Sequence, residues 1–256
     1  MDFLKKVREI KEREVEAIGR ITRNRPFPLL SFKSSLIEAP IIAEIKQASP
    51  SKGLIIRVDP VTQARKYVEG GAGAISILVD SNFFGGSWEY ISIVKEKFNI
   101  PILCKEFIIS ERQIVKAYNY GADAILLISK LLSSLELVDL YNFAIDLGLE
   151  VLVEIHSEDE LERISSLNPF IVGVNSRDLK ILHVDKKHAK RVISLIRDKY
   201  FVVAESGIES EEDIKEFTLA GARAFLIGEV LMKSGNPTLI IERFTSVYKD
   251  LRNKGS

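Results

Sequence analysis

GADAILLIS, residues 121–129, joins two kinds of chain. Gly121 and Ala122 close a segment with helical spacing, and Ala124 opens an apolar, β-rich run. Glycine accepts the left-handed conformation that ends a helix, and the small alanine lets the chain turn tightly into a sheet. The same Gly-Ala-x-Ala junction recurs at 71–74 and 221–224, each time leading into a β-rich run.

Working outward from these junctions, eight such runs are read. They are IIAEIK (41–46), AISILVD (74–80), PILCKEF (101–107), AILLIS (124–129), EVLVEIH (150–156), FIVGVNS (170–176), YFVVAES (200–206) and AFLIGE (224–229). Their starts are separated by a mean step of about 26 residues. The intervening segments, such as EDELERISSL (158–167) and EEDIKEFTLA (211–220), carry apolar residues at helical spacing. Mostly apolar strands suit a parallel sheet covered on both faces. Eight strand–helix alternations predict an α/β fold, a single (βα)8 (TIM) barrel domain over 41–256. An open doubly wound sheet is the rival, but the first strand is followed by QASPSKG (47–53), which lacks the glycine-rich phosphate fingerprint of that fold.

Helix starts are predicted at Asp59-Pro60 and Asn236-Pro237, each a cap followed by proline at the first helical position. Capping boxes are read at Ser157/Glu160 and Ser110/Gln113. Residues 1–40 form an N-terminal extension: an amphipathic helix over 2–18, then an irregular approach over 26–40 carrying Pro26, Pro28 and Pro40. The extension is expected to lie over one end of the barrel.

Composition narrows the function. The 256 residues are 46% hydrophobic and 28% charged, which suits a globule with a sizeable core. Lys plus Arg and Asp plus Glu both number 36, so no global basic field favours a nucleic-acid partner. The single cysteine, Cys104, excludes an intrachain disulfide and is read as core packing. One cysteine and three scattered histidines argue against a metal site. No apolar run reaches membrane-spanning length, and the charged N-terminus does not read as a secretory signal. A cytoplasmic monomer is expected.

The informative residues are polar ones at strand C-terminal ends: Glu44 and Lys46 on the first strand, Lys105 on the third, Glu154 on the fifth, Asn175 on the sixth and Glu205 on the seventh. Side chains alternate along a strand, so Glu44 and Lys46 share a face, which in a closed barrel is the interior at the mouth. An isolated charge there costs several kcal/mol unless paired or wet. Five charges from four strands at one end point to an active site, since barrel enzymes work at that face. Two lysines among three glutamates provide acids, bases and charge stabilisers for an anionic substrate. Ser206-Gly207 after the seventh strand and Gly228-Glu229 after the eighth suit a phosphate cradle. In the loop SNFFGGSWEY (81–90), Phe83, Phe84 and Trp88 read equally as a wall for a flat ring or a plug against the N-terminal helix. His156 stands two residues after Glu154 and is a candidate to face the mouth, whereas His183 and His188 read as loop or surface residues.

Taken in order, IIAEIKQASPSKG (41–53), PILCKEF (101–107), LVEIH (152–156), GVNSRDL (173–179), VAESGI (203–208) and FLIGEVLM (225–232) resemble the indole-3-glycerol-phosphate synthase family of tryptophan biosynthesis. The resemblance covers nearly the whole chain. It implies a carboxy-lyase without a cofactor, converting 1-(2-carboxyphenylamino)-1-deoxyribulose 5-phosphate to indole-3-glycerol phosphate with loss of CO2 and water. By that resemblance, Lys105 is the general acid for ring closure, and Glu154, Lys46 and Glu44 serve the later proton transfers. Asn175, Arg177, Glu205 and Ser206 would orient the sugar-derived chain. Ser49, Gly207, Gly228 and Glu229 would hold the phosphate, and Phe84, Phe107 and Leu179 would line the ring pocket. Two positions depart from the family pattern. Val79 stands where threonine is usual, and Gln47 where a basic residue commonly follows the first lysine. A related barrel isomerase that relies on a Cys and Asp pair is disfavoured, because Cys104 neighbours Lys105 and so faces away from the mouth.

Overall fold

The computed structural model describes residues 3–49, 53–54, 57–178 and 183–254. Eight parallel strands close into a barrel: β1 (Ile41–Ile45), β2 (Ala74–Leu78), β3 (Ile102–Lys105), β4 (Ala124–Ile128), β5 (Glu150–Ile155), β6 (Ile171–Asn175), β7 (Phe201–Glu205) and β8 (Ala224–Ile227). Each pairs with the next, and β8 pairs back onto β1 through Ile42↔Leu226. Every strand of the expected set is present. Several expected runs are longer than the strands, because polar residues at their ends turn out of the ladder. Ser129 opens a 3-10 turn, and Ser206 adopts a left-handed φ of 65°.

The junction glycines behave as their sequence context requires: Gly71, Gly121 and Gly221 have φ of 79°, 102° and 117°. Asp59 caps the helix Pro60–Glu69 by accepting from Thr62 N, and Asn236 accepts from Leu239 N at the start of Pro237–Lys254. The Ser157/Glu160 capping box is formed. The one expected at Ser110/Gln113 is not. Ser110 accepts from Arg112 N, while Gln113 Oε1 reaches further back, to Ile109 N at 2.9 Å. The loop after β2 folds into two short helices, Ser81–Phe84 and Glu89–Lys95. An unanticipated antiparallel ribbon pairs Ala48–Ser49 with Gly53–Leu54 just beyond β1.

The extension differs from its expected form in two ways. Its first helix, α1 (Phe3–Ile18), is present, but 26–40 is not wholly irregular: it contains α2 (Phe32–Glu38). Ser31 caps α2 by accepting from Ser34 N, and Phe32 and Leu36, one turn apart, are buried; the prolines flank this helix instead of interrupting it. The extension also touches both ends of the barrel. From α1, Lys11 Nζ meets Asp80 and Glu106, just beyond β2 and β3, at 2.6 and 2.9 Å. At the opposite end, Arg25 pairs with Asp123 ahead of β4 at 2.9 Å, and Lys33 N donates to Glu150 at the start of β5. Val7, Phe32 and Leu36 join the barrel's hydrophobic core. No helix among the described residues is long and apolar enough to cross a membrane.

Candidate active site

Strand register sets the charges of the mouth side by side. Glu154 on β5 is level with Gly173 on β6, and Glu205 on β7 is level with Asn175 on β6 and Leu226 on β8. Lys105, the last residue of β3, reaches across the barrel. Its Nζ lies 3.1 Å from Glu205 Oε2 and 3.3 Å from Glu154 Oε2. Lys46 Nζ lies 2.6 Å from Glu44 Oε1. Two glycines leave room for this crowd. A β-carbon at Gly173 would collide with the Glu205 carboxylate, and one at Gly228 with the Glu44 carboxylate.

These groups line a cavity of about 460 Å³ at the C-terminal ends of the strands. Its volume suits a small-molecule ligand of a few rings. Burial alone would neutralise Lys105, but the charges of Glu205, Glu154 and Glu44 outweigh it and hold the ammonium charged well above the usual lysine range. Burial likewise opposes the Glu154 charge. Lys105, His156 and Asn175 overcome that opposition and hold the carboxyl far below the usual carboxylate range. Glu205 goes the other way: burial pushes it up, Lys105 only partly resists, and the Glu154 charge adds to the push. The surroundings thus push the two neighbouring carboxyls in opposite directions, Glu154 down and Glu205 up.

The cavity also has an aromatic lining. Phe84 and Phe107 both line the cavity, with ring centroids 6.0 Å apart. Phe83 turns to Phe3 of α1, edge-on at 5.3 Å, and Trp88 packs by Tyr120. The loop thus supplies a wall through Phe84 and a plug through Phe83. Asp80 caps the short helix that carries both rings, accepting from Phe83 N at 2.6 Å.

Arg177, Ser206, Gly207, Gly228 and Glu229 also line the cavity. Ser206 and Gly207 are consecutive left-handed residues at the turn after β7, and Glu229 opens the short helix after Gly228. Ser49 ends the first strand of the ribbon beyond β1. Leu179 lies outside the described residues. Reading the sequence for charge missed Leu126 and Ile128 of β4, Ile208, Val184 and Lys186, all of which face the cavity. Alternation in AILLIS would have flagged the first two, but Lys186 has no such signal: it starts a helix and pairs with Asp213 at 2.6 Å. Gln47 donates to Tyr90 Oη at 3.1 Å, and Val79 is buried. Cys104 is fully buried beside the site. His188 lies in the first turn of the helix Lys186–Ile196, not in a loop, and contacts the carbonyl of His156 at 3.2 Å.

The family pattern described as Indole-3-glycerol phosphate synthase matches residues 2–244. The chain belongs to the indole-3-glycerol phosphate synthase family. An indole-3-glycerol phosphate synthase of Bacillus cereus (strain B4264) is 42% identical over 246 residues, covering 94% of this chain and 96% of the relative. One from Bacillus cereus (strain ATCC 10987 / NRS 248) is 46% identical over 211 residues, covering 80% of this chain and 82% of the relative. The barrel is shared more widely. The 3-hexulose-6-phosphate synthase of Salmonella typhimurium superposes with a TM-score of 0.66 at 14% identity, over 82% of this chain and 99% of that one. A thiamine phosphate pyrophosphorylase from Pyrococcus furiosus gives 0.61 at 13% identity, over 85% and 98%. Such distant likenesses speak to fold alone. As an indole-3-glycerol phosphate synthase family member, the chain is a carboxy-lyase of tryptophan biosynthesis.

Proposed function

We propose that this cavity binds 1-(2-carboxyphenylamino)-1-deoxyribulose 5-phosphate and closes it to indole-3-glycerol phosphate by general acid–base catalysis. The observation that carries the reading is the position of Lys105. Its ammonium lies between the Glu154 and Glu205 carboxyls, in a hollow also lined by the rings of Phe84 and Phe107.

In this reading Lys105 gives a proton to the substrate carbonyl oxygen as the carboxyl-bearing ring carbon attacks the carbonyl carbon. Loss of CO2 returns the electron pair to the ring and restores aromaticity. The new hydroxyl then leaves as water with a proton from Lys46, while Glu154 removes one from the CH2 carbon of the closed five-membered ring. Glu44, paired with Lys46, would assist that second half. Phe84, Phe107 and Leu179 would hold the flat ring. Asn175, Arg177, Glu205 and Ser206 would orient the sugar-derived chain. Ser49, Gly207, Gly228 and the backbone of Glu229 would take the phosphate. Each proton has a donor and an acceptor among these side chains, so the reading requires no cofactor.

The test is to mix purified protein with the substrate and follow indole absorbance and fluorescence. The wild type should generate the indole signal. Lys105→Ala should lower kcat by about 10²–10⁴-fold, the usual contribution of a positioned acid, while the fold survives. Near-normal turnover of that variant would remove Lys105 from this role. Tight binding by wild type without any indole signal would point to a non-catalytic barrel.

A further inference from the structure

His156 is a buried imidazole that the mechanism above does not use. It follows β5 by one residue, is 5% exposed, and does not line the cavity. Its Nε2 lies 3.3 Å from Glu154 Oε1, and its Nδ1 lies 3.9 Å from Glu160 Oε1. Neither ring nitrogen has an aligned hydrogen bond. A buried polar group left in this condition is costly, so it calls for an explanation.

The surroundings supply one. The two oxygens of Glu154 are held from opposite sides: Oε2 by Lys105 within the cavity, Oε1 by His156 behind its wall. Glu160 anchors the far side of the ring. Its Oε1 accepts from the backbone N–H of His156 at 2.7 Å and of Ser157 at 3.1 Å, and Lys130 Nζ approaches it to 3.5 Å. Lys130 also donates to Ser157 Oγ at 3.0 Å, and His188 closes the ring's backbone side through the His156 carbonyl. The groups facing His156 are thus Glu154 and Glu160 from its own segment, Lys130 from the turn after β4, and His188 from the helix after β6. Lys105 stands beyond Glu154. Outward from the cavity the side chains follow in the order Lys105, Glu154, His156, Glu160, Lys130. An imidazole between two carboxylates can turn an N–H to one of them.

We propose that His156 is a positioning residue for the reaction. It fixes the Glu154 carboxylate from behind, so that Glu154 is aimed to exchange a proton with the substrate. The proposal rests on the assignment of Glu154 as a proton-exchanging group.

The experiment uses the full chain and the indole assay, with kcat and KM measured across pH for His156→Leu, His156→Gln, Glu154→Gln and the double variant His156→Leu/Glu154→Gln. His156→Leu should lower kcat about tenfold, a modest part of what a positioned base contributes, with KM within threefold of wild type. Its acidic limb should move to higher pH, because the carboxylate has lost a stabilising partner. His156→Gln keeps an N–H donor at the ε position and should recover at least a third of kcat. In the Glu154→Gln background, His156→Leu should add nothing. If His156→Leu does not fold, His156→Asn, too short to reach Glu154, carries the same expectation. An unchanged kcat and pH profile in a folded variant overturns the proposal. So does a full additional tenfold loss in the double variant. Full activity of Glu154→Gln would instead overturn the role given to Glu154, a failure separable from the first because it appears without any change at His156.

Discussion

Glu205 shows how one residue's surroundings set its task. Its Oε2 meets Lys105 at 3.1 Å, and its Oε1 is buried without a partner above Gly173. Its raised pKa means that the folded state binds the proton more tightly than the unfolded chain does. The stabilisation is therefore complete below the ordinary carboxylate range and is lost as pH rises through the raised value. Glutamine mimics the protonated carboxyl without titrating. Glu205→Gln should match wild-type stability at acid pH, below the ordinary carboxylate range, and should not share the decline of wild type between that range and the raised value. Denaturation midpoints across acid, neutral and alkaline buffers check this. A variant whose midpoint falls across that window as steeply as wild type would show that another group titrates.

Among the elements, α1 has the most to hold. Lys11 is fully buried, and its ammonium serves Asp80 and Glu106, whose side chains are also sealed from solvent. Asp80 in turn caps the short helix bearing Phe83 and Phe84, and Glu106 accepts from Phe107 N. Burial pushes Glu106 up to about 7, against the pull of Lys11. Lys11→Met leaves two buried carboxyls without their cation and should cost about 3–5 kcal/mol in chemical denaturation. The loss should be smaller below pH 7, where Glu106 takes up a proton, and larger above it. A pH-independent loss under 1 kcal/mol would show that the cluster is held by other means.

This cluster also marks where sequence reading stopped. The strands were legible because β-rich runs and Gly-Ala junctions are local signals. The active-site charges were legible because a polar residue inside an apolar strand is conspicuous. Lys11 looked like one more solvated charge on an amphipathic helix, since its buried partners lie about seventy and ninety-five residues away and only Glu14 is near in sequence. The α2 helix was obscured by the prolines around it. Lys186 was lost among surface lysines. His156 was noticed, but its place behind the wall depends on the exact course of β5 and the loop after it.

At the scale of the molecule, the barrel brings β3, β5, β7 and β8 to one rim, and the proposed phosphate cradle joins the last two. Anything that binds the native state alone raises its stability, by about 2.7 kcal/mol at one hundred times Kd. For a chain of this size that corresponds to a rise in Tm of roughly 5–10 °C, taking about 2–4 °C per kcal/mol. Inorganic phosphate should raise Tm where chloride of equal ionic strength does not. Gly207→Val should abolish the difference, since Gly207 has φ of 74° and its missing side chain faces Val184 and Lys186. Equal effects of phosphate and chloride would place no anion there.

The absent side chains at Gly173 and Gly228 bear on design. Transplanting this chemistry to another eightfold barrel by copying only the acids and bases would fail, because the recipient's own methyl groups would occupy the volume that the carboxylates need. The hydrogen atoms at these two positions belong to the blueprint as much as any charge does.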